Sequence, residues 1–182
     1  MDSSQRYTPS LFQLLGVGFV AIVLVLYLAI SLGTQDLLWF WPSFDAQPET
    51  ILVHCYGETI QVEPETEANA KLVERLQQGL WGWKRWTDLS LSLATLQIYR
   101  YGDDSLVLEF IYVAPFRIHS QYRFFSHVDA LIVPLDGRHA GAYPVFGLSD
   151  GDPMAGALHL KTNVPLLEAV REHDLCSPRN DP

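Results

Sequence analysis

Hydrophobic positions along this chain fall into three rhythms: one unbroken block, several stretches of strict alternation, and two stretches with helical spacing. The block runs from Leu11 to Gly33, with Gln13 as its one strongly polar side chain and no charge. At 1.5 Å rise per residue such a helix is about 34 Å long, enough to cross a hydrocarbon core of about 30 Å with some tilt. Its backbone polar groups are then all paired within the helix. Leu37, Leu38, Trp39, Phe40 and Trp41 follow, and Pro42 ends the run, which suits an aromatic belt at headgroup depth. The competing expectation is a cleaved signal peptide, with Ala29 and Ser31 as the small residues before a cut. Against it stand an apolar region longer than such peptides use and Arg6 as the sole basic side chain ahead of it.

Alternation begins after a short linker, residues 42–49. Ile51 to Tyr56 and Glu58 to Val62 alternate apolar and polar residues around Gly57, which predicts a hairpin. Glu65 to Leu80 has helical spacing instead, with Leu72, Val73, Leu76 and Leu80 on one face, acidic residues in the first turn and Gly79 near the end. Ser92 to Tyr101 and Ser105 to Val113 are rich in Leu, Ile, Val, Tyr and Phe, and Gly102 to Asp104 supply a turn, so a second hairpin is expected there. Phe116 to Phe124 reads as a further strand bent at the Phe124-Phe125 pair, and Val128 to Leu135 as a strand buried on both faces. Ala142 to Phe146 and Ala157 to Leu160 are weaker strand candidates around a turn at residues 149–153. Thr162 or Asn163, with Pro165 in the first turn, opens a final helix running to about His173. The expected fold class is α+β: a single N-terminal transmembrane helix followed by a mostly antiparallel sheet domain with two helices.

The expected organisation is a head (1–10), the membrane helix (11–33), an interfacial aromatic segment and linker (34–49), one domain (50–176) and a tail (177–182). Roughly 140 residues beyond the membrane suffice for one self-sufficient core. Charge bounds the partners. Twelve Lys and Arg against 21 Asp and Glu, net -9, is the wrong balance for gripping nucleic acid. Between Arg6 and Lys71 there is no Lys or Arg, so the membrane-proximal stretch is itself unsuited to anionic headgroups. Arg6 before the apolar block and no nearby Lys or Arg after it point to a cytoplasmic N-terminus and an extracytoplasmic domain at the cell membrane.

Several residue groups are candidates for function. Arg117, His119, Gln121 and Arg123 alternate with apolar neighbours, so on a strand they share one face, where two guanidinium forks flank an imidazole and an amide. That set suits an acidic ligand or partner; the plainer alternative is a solvated outer face. Trp81, Trp83, Lys84, Arg85 and Trp86 join Trp39 and Trp41 as membrane-interface candidates, because indole rings sit at headgroup level and basic stems snorkel. The alternative is that these tryptophans cover the end of the core. Gly147-Leu148-Ser149-Asp150-Gly151 satisfies G-x-S-x-G, with His159 and His173 downstream, yet the surrounding hairpins are not the strand-to-helix setting such a serine needs. His127, Asp129, Asp136 and His139 lack any spacing that fixes metal geometry, so neither a metal nor a cofactor is expected. Cys55 and Cys176 are the two cysteines: bridged in an oxidising compartment, where the bridge would contribute on the order of 4 kcal/mol, or two free thiols.

No catalytic set is expected. The sequence reads as a membrane-anchored accessory or interaction protein whose partners are the lipid bilayer and a membrane protein or complex. A tethered serine hydrolase and a small-anion sensor domain are the alternatives.

Overall fold

The computed structural model describes residues 10–177. Helix α1 (Leu11–Thr34) opens on Ser10, whose hydroxyl accepts from the Gln13 N–H while the Gln13 side chain returns the bond to the Ser10 N–H. This reciprocal pair satisfies two of the helix's otherwise unmade donors. By length and composition α1 is able to cross a membrane, and nearly all of it is uncovered by the rest of the protein.

The remainder is α+β, with an eight-stranded sheet whose pairings are all antiparallel. In chain order its elements are β1 (Thr50–Cys55), β2 (Glu58–Val62), α2 (Glu67–Leu80), β3 (Arg85–Thr87), α3 (Leu93–Tyr101), β4 (Leu106–Phe116), β5 (Val128–Asp136), β6 (Pro144–Ser149), β7 (Asp152–Pro153), β8 (Ala157–His159) and α4 (Val164–Glu172). Across the sheet the order is β2-β1-β4-β5-β6-β8-β3, with β7 pairing β6. The chain therefore leaves one edge at β2, crosses a face through α2 to the far edge at β3, and returns through α3 to the centre at β4.

Two faces, two cores. Ile51, Val53, Leu108, Phe110, Leu131 and Val133 pack with Leu72 and Leu76 of α2 and Leu166 and Val170 of α4. Their alternate neighbours Val107, Ala130, Ile132 and Phe146 pack with Leu96 and Tyr99 of α3. Strand side chains alternate between faces, so a sheet covered on both sides must be apolar at consecutive positions. Residues Leu106 to Phe110 of β4 are accordingly all buried.

Two expectations are corrected here. Ser92 to Tyr101 is not a strand of a second hairpin but the cap and body of α3, a third helix in the domain. The Ser92 hydroxyl accepts from the Thr95 N–H, and Leu96 and Tyr99 fall on one buried stripe, so helical periodicity prevails over the strand-like composition. Phe116 to Phe124 is not a strand either: β4 ends at Phe116 after a register shift, the chain loops out, and Arg123–Phe125 forms one 3-10 turn. Pro115 lies within the shifted stretch and has no N–H to give a ladder.

Cys55, at the end of β1, and Cys176, beyond α4, are joined in a disulfide with Cα atoms 5.7 Å apart and lie 121 positions apart in sequence.

Candidate membrane-proximal site

The segment leaving α1 is fixed to the domain rather than strung between the two. Gln35 takes a left-handed conformation and donates its N–H to Ser31 O, closing the helix. Asp36 is then buried: its carboxylate accepts from the Leu38 N–H at 2.9 Å, and both its oxygens stand 3.0 Å from Nδ1 of His119. Trp39 meets Trp83 edge to face, with ring centroids 6.1 Å apart. The Pro42 carbonyl accepts from the Gly82 N–H at 3.0 Å and from Lys84 Nζ at 2.7 Å. Phe44 is buried against Phe116, and Glu49 donates to Ile111 O, so the linker lies along the domain until β1 begins.

Lys84 is 6% exposed and gives a second bond to Gly82 O at 3.1 Å. Burial brings its pKa down to about 8, opposed by the nearby Asp45 carboxylate. Its partners are backbone carbonyls, so it acts as a clasp between the exit segment and the loop after α2, not as a snorkelling cation.

The aromatic residues divide into two groups. Trp81 and Trp83 are 54% and 66% exposed, and Leu37, Leu38, Phe40 and Trp41 are likewise open, forming an apolar collar around the end of α1. Trp86, by contrast, is half-buried and stacked on Tyr122 and Phe124, with centroids 5.5 and 5.4 Å away. It covers the rim of the core.

Beside the collar lies the β3–β8 edge. Arg85 is paired in register with His159. Lys161 follows Leu160, which is buried under the backbone of Gly79: a Cβ at position 79 would stand 2.8 Å from Leu160 Cδ2. Glycine at this point of α2 lets the chain after β8 approach, and a shallow recess results, lined by Trp81, Trp83, Lys84, Arg85, His159 and Lys161. The sequence marks His159 only as a histidine downstream of Ser149 and gives no sign of Lys161, because both lie about 75 residues from Arg85 and no local motif ties them to it.

Arg117, His119, Gln121 and Arg123 do not share a sheet face, since residues 117–122 form a loop and Arg123 sits in the 3-10 turn. The alternation is real in sequence but there is no strand to express it. His119 is turned to Asp36, Gln121 Nε2 donates to the Tyr122 hydroxyl at 2.6 Å, and Arg117 borders a recess with Trp41, Ser43 and Asp45.

A second polar cluster is internal. Glu109 of β4 is 2% exposed and His54 of β1 is 4% exposed, both on the α3 side of the sheet. His54 Nε2 stands 2.8 Å from Glu109 Oε2 and its Nδ1 3.0 Å from Thr59 Oγ1. Arg100, from α3, closes the chain: its Nε donates to Glu109 Oε2 at 3.0 Å and its Nη2 to Oε1. Burial alone would raise the Glu109 pKa, but the bonds from His54 and Arg100 outweigh it and hold the carboxyl below its ordinary range. A glutamate at the centre of an apolar strand was the available sequence signal, because charge at a doubly covered position demands partners. The cluster pins α3 to the sheet.

At the opposite end of the sheet, a cleft of about 430 Å³ is lined by Tyr56, Leu106, Asp136, Leu167, Arg171 and Cys176. Tyr56 donates its hydroxyl to Asp136 at 2.7 Å across that cleft. Ser149 lies where β6 turns into β7, with Asp150 and Gly151 both at positive φ. That is a two-residue hairpin, not a strand-to-helix elbow. His159 Nδ1 pairs with Ala142 O at 2.7 Å, and His173 caps α4. Among the described residues no group of three or more His, Cys, Asp or Glu side chains is placed to hold a metal.

Compared with protein-family models, curated proteins and solved structures, the chain finds no match in any of the three.

Proposed function

We propose that this protein is a single-pass, membrane-anchored accessory or interaction subunit. In this reading α1 spans the bilayer, the N-terminus is cytoplasmic, and the sheet domain is presented to a membrane-protein partner at a fixed height and angle on the extracytoplasmic side. The observation that carries it is the clasping of residues 36–44 to the domain by Lys84, His119, Trp83 and Phe116. A catalytic domain that needs only tethering gains nothing from such fixation, whereas a docking subunit gains affinity by having its geometry set in advance. The Cys55–Cys176 bridge supports the extracytoplasmic side, since such bonds persist in oxidising compartments. Arg6 ahead of the helix supports the same orientation.

The test is native mass determination of the full chain after gentle detergent extraction from the membranes in which it is made. The expected result is a stoichiometric complex with a second membrane protein, reproduced between preparations. Recovery solely as a monomer would remove the accessory-subunit reading.

A further inference from the structure

The recess at the β3–β8 edge is distinct in chemistry from the rest of this acidic protein. Three of its twelve Lys and Arg side chains, Lys84, Arg85 and Lys161, border one shallow hollow whose lining contains no Asp or Glu. Lys84 is committed to backbone carbonyls, but Arg85 and Lys161 are exposed. Among the described residues neither has a carboxylate within ion-pair distance, whereas Lys71 pairs with Glu74 and Arg100 with Glu109. Two unpaired cations beside two exposed indoles form a surface polar at one side and apolar at the other.

Its position says what it meets. Trp83 touches Trp39, five residues beyond the end of α1, and Gly82 is bonded to Pro42. With α1 across the bilayer, the recess therefore lies at the level where α1 leaves the hydrocarbon, which is the level of phosphate groups and glycerol backbones. From the end of the helix to Lys71 the sequence holds no Lys or Arg, so the fold supplies from positions 85 and 161 what that flanking segment does not.

We propose that this recess is a headgroup site for an anionic phospholipid. Arg85 and Lys161 hold the phosphate, and Trp81 and Trp83 lie against the glycerol and the first methylenes of the acyl chains. The proposal rests on the membrane-spanning reading of α1 and adds a lipid preference to it. Arginine supplies a planar fork for phosphate oxygens and lysine a point charge, a combination that neutralises a headgroup carrying net negative charge better than a zwitterionic one.

The experiment uses the full chain in detergent, exposed to an equimolar mixture of phosphatidylglycerol and phosphatidylcholine with identical acyl chains, and native mass spectrometry to identify the lipid retained. Two interfacial cations predict retention of phosphatidylglycerol over phosphatidylcholine by about thirtyfold. In the Arg85→Gln/Lys161→Gln variant the preference should vanish, while Arg171→Gln, a charge change in the cleft beside Cys176, should leave it intact. Lys161→Gln alone, at an exposed position outside the strands, should reduce the preference partway and serves should the double variant fail to fold. Inorganic phosphate should displace the bound lipid no better than chloride at equal ionic strength; preferential displacement would identify free phosphate as the ligand and overturn the lipid assignment. Equal retention of both lipids by the unaltered protein, or loss of preference in Arg171→Gln as well, would also overturn it. A chain that stays dispersed without detergent would remove the membrane reading itself, a result distinct from a lipid-embedded chain that shows no preference.

Discussion

Glu109 shows most directly how one residue can hold two layers together. It sits on a central strand with helices over both faces, and its charge is tolerated because Arg100 and His54 occupy its two oxygens. Removing one partner from a buried charged set leaves the others uncompensated, so Glu109→Gln is expected to destabilise the domain by about 3 kcal/mol in a denaturant titration. The pH dependence has a definite sign. Because the folded-state pKa of Glu109 is lowered, its stabilising contribution is complete above the pKa of the unfolded carboxyl and is lost as pH falls through the folded value. Stability measured from neutral pH into the acid range should thus fall less steeply in Glu109→Gln than in the unaltered chain. Equal slopes would mean that the charge is not what Arg100 and His54 recognise.

Among the elements, those whose hydrophobic spacing was unambiguous are where the sequence places them: α1, α2, the β1–β2 hairpin, β5 and α4. The two that differ do so for separate reasons. For α3, the Leu, Ile and Tyr content favours a strand, and the deciding signals are the Ser92 cap and the Leu96 to Tyr99 spacing, each short and easily outweighed. For residues 117–124, alternation is present without neighbouring strands to pair with, and a strand has no meaning without its partners. Much the same holds for the site. The aromatic collar is legible in one contiguous stretch, but its companions His159 and Lys161 arrive by way of the β3–β8 pairing and the clearance at Gly79, which no local pattern encodes. The disulfide belongs to this scale also, joining the end of β1 to the chain after α4. Replacing both Cys55 and Cys176 by Ser is expected to lower stability by about 4 kcal/mol, read as a shift in the unfolding midpoint. If the midpoint stays put, the bridge does not constrain the unfolded chain.

At the scale of the whole molecule, α1 and the sheet domain are a single mechanical piece as long as residues 36–44 stay clasped. Lys84→Met keeps the length of the side chain while removing both donors to Pro42 O and Gly82 O. In lipid nanodiscs this variant should be cut by protease between residues 35 and 49 several times faster than the unaltered protein, since local opening sets the cleavage rate. The domain should keep its unfolding transition. Unchanged cleavage would assign the clasp to Asp36, His119 and Trp39 instead.

With no swivel between α1 and the sheet, and with α1 in the bilayer as proposed, torque applied within the lipid is delivered to the opposite rim, where the cleft beside Cys176 opens. A neighbour that grips Leu11–Thr34 and turns it by one side-chain spacing turns that rim by the same angle. On the proposed membrane-anchored reading the protein is then built as a steering column: its heading is chosen inside the bilayer, and whatever waits outside is met already aimed.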